Sequence, residues 1–283
     1  MASTSAPRLR LITFTTPATL KPGNALIAAK DAAGTILWSW HIWIPETEIS
    51  EITEANFSAA RKVMSRNLGA LVDATMSAAP AESFGLLYEW GRKDPFPGLC
   101  SLTDATATIT VAGTAMTQKE GPVTLEESIA NPTEYVYLAS KDWLPEEMTS
   151  SSEIAKLWGE EVKTVYDPCP AGYVLPKRNK SCAFWSGNKF NEDATVFTLN
   201  QDNGVFSLGN LVFPIAGYID DAGEAQKKAG LRTIVWSGRW DSGTVNGYGM
   251  YGYVDSDGPK FRNQGNVRSR GGSVRCVVLP AAE

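Results

Sequence analysis

Apolar residues in this chain gather in short runs separated by Gly, Pro, Asn, Asp and Thr, and most runs have strand length. Residues 8–14 read as a first strand, ended by Thr15, Thr16 and Pro17. Residues 24–30 are a second, residues 31–34 (DAAG) a hairpin turn, and residues 35–44 (TILWSWHIWI) a third strand. In that run Trp38, Trp40 and Ile42 share one parity, and Leu37, Ser39, His41 and Trp43 the other. Both faces are mostly apolar, which predicts a central strand covered on both sides.

Residues 46–60 are polar and read as a loop, and residues 63–70 as a short strand running into a turn. Residues 83–92 (SFGLLYEWGR) place Phe84, Leu87, Tyr88 and Gly91 at helical spacing behind a Ser83 cap, and two prolines follow within residues 93–98. This predicts a helix. Residues 103–131 are Thr- and Ala-rich and read as a mobile surface insertion. Residues 152–162 predict a second helix with Ile154, Leu157 and Trp158 on one face. Residues 167–172 are a rigid turn and residues 173–176 a short strand. Residues 195–199 and 205–208 flank NQDNG as a hairpin, residues 211–218 form a strand, and residues 220–230 a charged loop. No composition break or fixed-period repeat divides the chain, so a single domain over residues 1–283 is expected.

The closing stretch, residues 232–278, differs from the rest. It opens on Thr233, Ile234, Val235 and Trp236 and closes on Val274, Cys276, Val277 and Val278. Its middle is rich in Gly, Tyr, Asn, Asp, Ser and Arg. Strands at both ends are expected to hold an irregular middle that offers rings, amides and charges to solvent. These residue types are the usual alphabet of protein recognition surfaces. Trp240, Tyr248, Tyr251 and Tyr253 are the aromatic contact candidates. Arg239, Asp241, Ser242, Thr244, Asn246, Asp255, Lys260, Arg262, Asn263, Asn266, Arg268 and Arg270 are the polar ones. Trp185 and Trp236 are expected in the core.

A net charge of -5 argues against nucleic acid as the main partner, although Lys260, Arg262, Arg268, Arg270 and Arg275 form a local basic cluster. No apolar run is long enough to span a bilayer, so no membrane insertion is expected. The start, MASTSAPRLR, lacks the apolar core of a signal peptide. Either the protein stays inside the cell that makes it or an export signal has been removed. Four cysteines, none in a CxxC pair, make a zinc site unexpected and leave room for one or two disulfides in an exported protein. His41, the only histidine, has no catalytic partner set in the sequence, so a buried imidazole bonded to its neighbours is expected.

GYGMYG (residues 247–252) matches GxGxxG but lies in a Tyr-rich stretch with no helix signal after it, so no dinucleotide site is expected. Asp255 and Asp257 are the calcium candidates. The EF-hand pattern fails because its twelfth position is Asn266, and carboxylates in Gly-containing turns are ordinary turn formers, so no cofactor or metal is expected. No GxSxG elbow, P-loop or HExxH is present, which points away from an enzyme.

Seven blocks in order carry a family resemblance: GNALIAAKDAAGTILWSWHIWI (23–44), RNLGA (66–70), GLLYEWGRKDPFPG (85–98), YDPCPAGYVLP (166–176), FPIAGY (213–218), VWSG (235–238) and SVRCV (273–277). Together they resemble the major paralogous domain proteins of gut bacteria, found on fimbrial tips, surface adhesins and phage receptor-binding proteins. The resemblance implies an α+β, C-type-lectin-like fold of the formylglycine-generating-enzyme variety, with small twisted antiparallel sheets, two main helices and long loops. It also implies a ligand face between VWSG and SVRCV, aimed at a cell-surface protein or glycan, on a cell surface or phage virion. The same fold carries the variable proteins of diversity-generating retroelements, and the residue mixture over 239–270 is compatible with randomised Asn codons, Lys260 and Gln264 excepted. Assembly into a fimbria or phage tail, or a homo-oligomer, is the alternative that the resemblance carries. It does not carry over the catalysis of sulfatase-maturing enzymes, because no closely placed cysteine pair stands at the expected place. Cys169 and Cys276 fall in two of the blocks and are expected near one another, as a disulfide in an exported protein or as buried thiols in a phage protein assembled in the cytosol.

Overall fold

The apolar run at the start of the closing stretch lies at the centre of the molecule. The computed structural model describes residues 13–53, 62–98, 116–139, 141–149, 151–160, 162–176, 197–222, 230–241, 244–255 and 258–279, and for 151, 197, 248–255 and 258–264 the backbone alone. In chain order the first strands are β1 (Gly23–Lys30), β2 (Ile36–Ile44), β3 (Glu51–Thr53), β4 (Lys62–Met64), β5 (Leu87–Glu89), β6 (Thr117–Glu120) and β7 (Glu134–Tyr137). They are followed by β8 (Tyr173–Val174), β9 (Phe197–Asn200), β10 (Val205–Leu208), β11 (Leu211–Pro214) and β12 (Arg232–Trp240). The last are β13 (Asn246–Asp255), β14 (Gly258–Val267), β15 (Gly271–Val274) and β16 (Val277–Val278), and the α-helices are α1 (Leu125–Ala130) and α2 (Ser151–Ile154). These strands form sheets in the orders β14-β13-β12-β15-β5, β3-β4-β16-β8, β11-β10-β9, β1-β2 and β6-β7. The result is an α+β arrangement of small sheets with few helices.

Strand β12 is apolar on both faces because each face meets a different core. Ile234 and Trp236 enter a cluster with Trp90, Trp143 and Trp158, while Val235 between them enters another with Phe206, Phe213 and Val277. The four buried indoles each donate to a backbone carbonyl: Trp90 to Ser237, Trp143 to Trp90, Trp158 to Tyr166 and Trp236 to Tyr88, all within 2.8–3.0 Å. A buried indole N–H left without a partner would cost about 1–3 kcal/mol, so these bonds fix how the tryptophans stack as well as where they lie.

The covered central strand expected at residues 35–44 is instead half of the two-stranded sheet β1-β2, with Leu37 57% and Trp40 36% exposed. Ser39, His41 and Trp43 of one parity dock through hydrogen bonds, while Trp38 of the other packs against Tyr166 and Lys93. Ser39 Oγ donates to Asp94 (2.6 Å), Trp43 Nε1 to Ala70 O (3.0 Å), and His41 bridges Asn24 Oδ1 (2.8 Å) and the Tyr88 hydroxyl (3.4 Å). His41 is thus a hydrogen-bonded, half-buried imidazole, and burial lowers its pKa to about 4.

The helix expected at residues 83–92 is replaced by β5, which pairs with β15. Gly85 (φ +76°) and Gly91 (φ +90°) lie in the left-handed region that an α-helix cannot use, and Ser83 through Arg92 are all buried, leaving no solvent face for a helix. A Cβ on Gly85 would meet Leu68 O at 2.6 Å, so the chain there runs flush against its neighbour. The second expected helix shrinks to the four residues of α2, although Ile154, Leu157 and Trp158 are buried as expected. The far end of the expected mobile insertion is ordered into β6 and α1, while residues 99–115 lie outside the described residues. Thr124 and Glu127 form a reciprocal capping box at the start of α1 (3.0 and 3.1 Å). Residues 8–12 and Trp185 also lie outside the described residues, and Thr13 and Phe14 are not in a strand.

On β5 the fully buried Glu89 meets Arg92 at 2.6 Å. Burial raises its carboxyl pKa to about 8, against which Arg92 pulls only partly. The folded protein therefore holds this proton more tightly than the unfolded chain. Stability from Glu89 is fully present below pH 4.5 and is lost as pH rises through about 8. His41 acts in the opposite sense between about 4 and 6.5, its stability being lost as pH falls. Urea midpoints from pH 6.5 to 8 thus leave out the His41 contribution. They should fall with a slope of up to about 1.4 kcal/mol per pH unit, and Glu89→Gln should flatten that slope. An equal slope in the variant would remove Glu89 as its source.

Candidate functional site

Beyond β12 the sheet continues outward as a hairpin of two ten-residue strands, β13 and β14. The expected irregular middle is regular: residues with little apolar content still pair along ten register positions, from Asn246↔Val267 to Asp255↔Gly258. Backbone pairing to β12 supplies the order that side-chain composition does not announce. Three-strand rows run Trp236–Gly249–Gln264, Ile234–Tyr251–Arg262 and Arg232–Tyr253–Lys260 on one parity, and Val235–Met250–Asn263 and Thr233–Gly252–Phe261 on the other. GYGMYG lies wholly within β13, and no helix follows it among the described residues.

The hairpin's base is built from buried charge. Arg268, fully buried, donates through Nε to Asp142 Oδ2 (2.7 Å), contacts the same carboxylate through Nη2, and donates to Asn246 O (3.1 Å) and Thr244 O (2.9 Å). Its backbone N–H reaches Val245 O (2.9 Å), its carbonyl accepts from Trp90 N (3.2 Å), and its guanidinium stands 5.8 Å from the Trp90 ring. Burial raises the Asp142 pKa while Arg268 pulls it down. Gly247 is required here, because a Cβ on it would fall 2.4 Å from Trp90 Cγ. In β12 the register shifts between Trp236 and Trp240, where Gly238 donates to Pro176 O (2.9 Å) and lies so close to Gly159 that no side chain fits.

The expected contact residues divide between frame and surface. Arg268 and Asn266 (2% exposed) are buried framework, a correction to their reading as contacts, and Arg275 leaves the expected basic cluster for the interior. Arg275 donates to Asn67, Ser65 O and Val212 O (3.0–3.2 Å) with Phe213 4.3 Å below, and burial lowers its pKa to about 9. Arg270 is half-buried and bridges Asp221 (3.0 Å) and Asn266 (3.3 Å). Exposed or half-buried at the near end of the hairpin are Arg239, which pairs with Glu160 at 3.5 Å, Trp240, which packs partly on the core, Asp241, Thr244 and Asn246. Tyr248, Tyr251, Tyr253, Asp255, Lys260, Arg262 and Asn263 take the backbone positions along β13 and β14 given above. Ser242 and the calcium candidate Asp257 lie outside the described residues. Among the described residues no three His, Cys, Asp or Glu gather as a metal site requires, and no helix is long and apolar enough to cross a membrane.

Sequence reading missed the Asp142–Arg268 pair, since a partner 126 residues away leaves no local signal. Cys169 and Cys276, expected near one another, form a disulfide with Cα atoms 5.9 Å apart, the first of the two states left open by the sequence. Compared with protein-family models, with curated proteins and with solved structures, the chain matches none.

Proposed function

We propose that this protein is a non-catalytic binding module of C-type-lectin-like type, which meets a cell-surface protein or glycan through the hairpin β13–β14 and the end of β12. The observation that carries this reading is the contrast between the hairpin's base and its length. The base is fixed by Arg268, Asp142 and Trp90, while the strands beyond it carry tyrosines, amides and cations with little apolar content. A rigid base lets contact residues vary without loss of the fold. The lectin-like assignment draws support from the small sheets and from the disulfide joining the DPCPAGYVLP and SVRCV blocks. A buried disulfide also supports export to an oxidising site, and hence display on a cell surface rather than assembly as a phage protein in the cytosol. Retroelement diversification of residues 239–270 belongs to the same reading, and a reverse-transcriptase gene with a near-copy template beside the coding DNA is its test.

Tyr251→Ala is the variant of choice for binding, because Trp240 also packs on the core and its truncation mixes stability with contact. Labelled protein is to be measured by flow cytometry on a panel of bacterial and epithelial cells. Tyr251→Ala should weaken binding about tenfold or more, with its urea midpoint read alongside because its row neighbour Ile234 is buried. Unchanged binding by Tyr251→Ala and Arg239→Ala alike would reject this face.

A further inference from the structure

β14 is the outermost strand of the five-stranded sheet, bonded among the described residues to β13 alone. The outer edge of such a strand presents a row of peptide N–H and C=O groups, a ready template for one more strand. Its sequence, GPKFRNQGNV, contains two cations and no acid, in a protein whose net charge is -5. Lys260 and Arg262 share a parity, so they recur on one face at the repeat of an extended chain, about 6.8 Å for every second residue. The register sets each beside a tyrosine of β13: Tyr251↔Arg262 and Tyr253↔Lys260.

These placements select the occupant. A second copy pairing symmetrically through β14 would set cation opposite cation in every register centred on residue 260, 261 or 262, and like charges opposite one another destabilise a strand pair. A strand with acidic residues at every second position meets Arg262 and Lys260 with opposite charge. Asp255, in the row of Gly258 at the far end, disfavours a third acid there and so sets where the acidic pair must stop. We infer that the outer edge of β14 takes an extended acidic peptide of a partner protein as an added strand, with alternate Asp or Glu residues set against Lys260 and Arg262. This rests on the hairpin being the contact surface, and it narrows the ligand to a protein segment.

The probe is a fluorescein-labelled octapeptide alternating Glu and Thr, followed by anisotropy against the full chain. It should bind, and alternating Lys–Thr and Gln–Thr peptides should not. N-methylation at every second residue can be placed in two phases. One phase removes the N–H groups that face β14 and should abolish binding, and the other should leave it intact. Each reversed cation should weaken the Glu–Thr peptide by roughly tenfold. Lys260→Glu/Arg262→Glu should lose about a hundredfold and gain the Lys–Thr peptide, which also shows that the variant is folded. Equal binding by both N-methyl phases would mean charge attraction without strand addition and would overturn the inference. If the Glu–Thr peptide fails to bind while Tyr251→Ala still impairs cell binding, or while a sulfated oligosaccharide binds, the peptide inference falls and the contact surface stands. If Tyr251→Ala and the cation reversals change nothing, both fall.

Discussion

Arg268→Ala is expected to destabilise the protein by about 3–5 kcal/mol, the range for breaking a buried ion pair by removing one partner. The cost comes from what is left behind. Asp142, 3% exposed, would keep a carboxylate with its main counter-charge gone, and the carbonyls of Thr244 and Asn246 would each lose a donor at the point where β13 begins. The variant should also change its response to pH. With Arg268 gone, burial of Asp142 is opposed only by the backbone N–H groups of Leu144 and Trp143, so its folded pKa rises further above the unfolded value. Stability is then present at acid pH and lost as pH rises, and the variant should recover towards the parent on acidification. Asp142→Ala/Arg268→Met, which removes both charges, should be less damaged than Arg268→Ala alone. Urea denaturation of these three proteins at two pH values reads all of this. A loss below about 1 kcal/mol would mean that Arg268 is not the hairpin's anchor, and would return it to the contact surface.

The case of Arg268 shows where sequence and structure part company. Its neighbours Lys260, Arg262 and Arg270 look identical to it as letters in a polar segment, yet Arg268 is sealed while Arg270 is half-exposed. Only the partner decides, and Asp142 is remote in sequence. The hairpins at residues 24–44 and 197–208 were legible because a turn signal and its flanking runs are local. So was the burial of Ile154, Leu157 and Trp158. The register of β13 and β14 was not, because strand pairing to β12 imposes order on residues whose composition reads as loop.

Residues 83–92 failed for a different reason. Phe84, Leu87, Tyr88 and Gly91 do sit at helical spacing, but the glycines at 85 and 91 take positive φ and the segment is buried on every side. Periodicity reports one buried stripe and says nothing about a segment buried all round. The capping box at Thr124 and Glu127 was present in the letters as T-x-x-E, and the low hydrophobicity of its surroundings hid it. In the candidate site, sequence reading named Arg239, Trp240, Asp241, Thr244 and Asn246, which are exposed or half-buried, together with Asn266 and Arg268, which are buried. It could not separate the arginines that hold the hairpin from those that line it.

Removing the disulfide is the other change expected to have a large effect. Cys169 and Cys276 are 107 residues apart, and the chain-entropy relation for a loop of that size gives about 4–5 kcal/mol of stabilisation, relative to a usual range of about 2–4. The location adds to the argument. Cys276 sits between β15, which pairs with β12, and β16, which pairs with β4 and β8, so the bond ties the turn before β8 to the junction of two sheets. Cys169→Ala/Cys276→Ala should therefore lower the urea midpoint with little change in the folded structure, since both sites are buried and alanine fits where each half of the disulfide sat. Reduction of the parent protein should give the same shift. The same closure restrains the middle of β12 through its pairing with β15, so cell binding by the hairpin should weaken only as the fold itself is lost. A midpoint within about 1 kcal/mol of the parent would mean that covalent closure contributes little and that packing of the Trp236 core carries the junction. Loss of binding at full stability would instead tie the disulfide directly to the shape of the contact face.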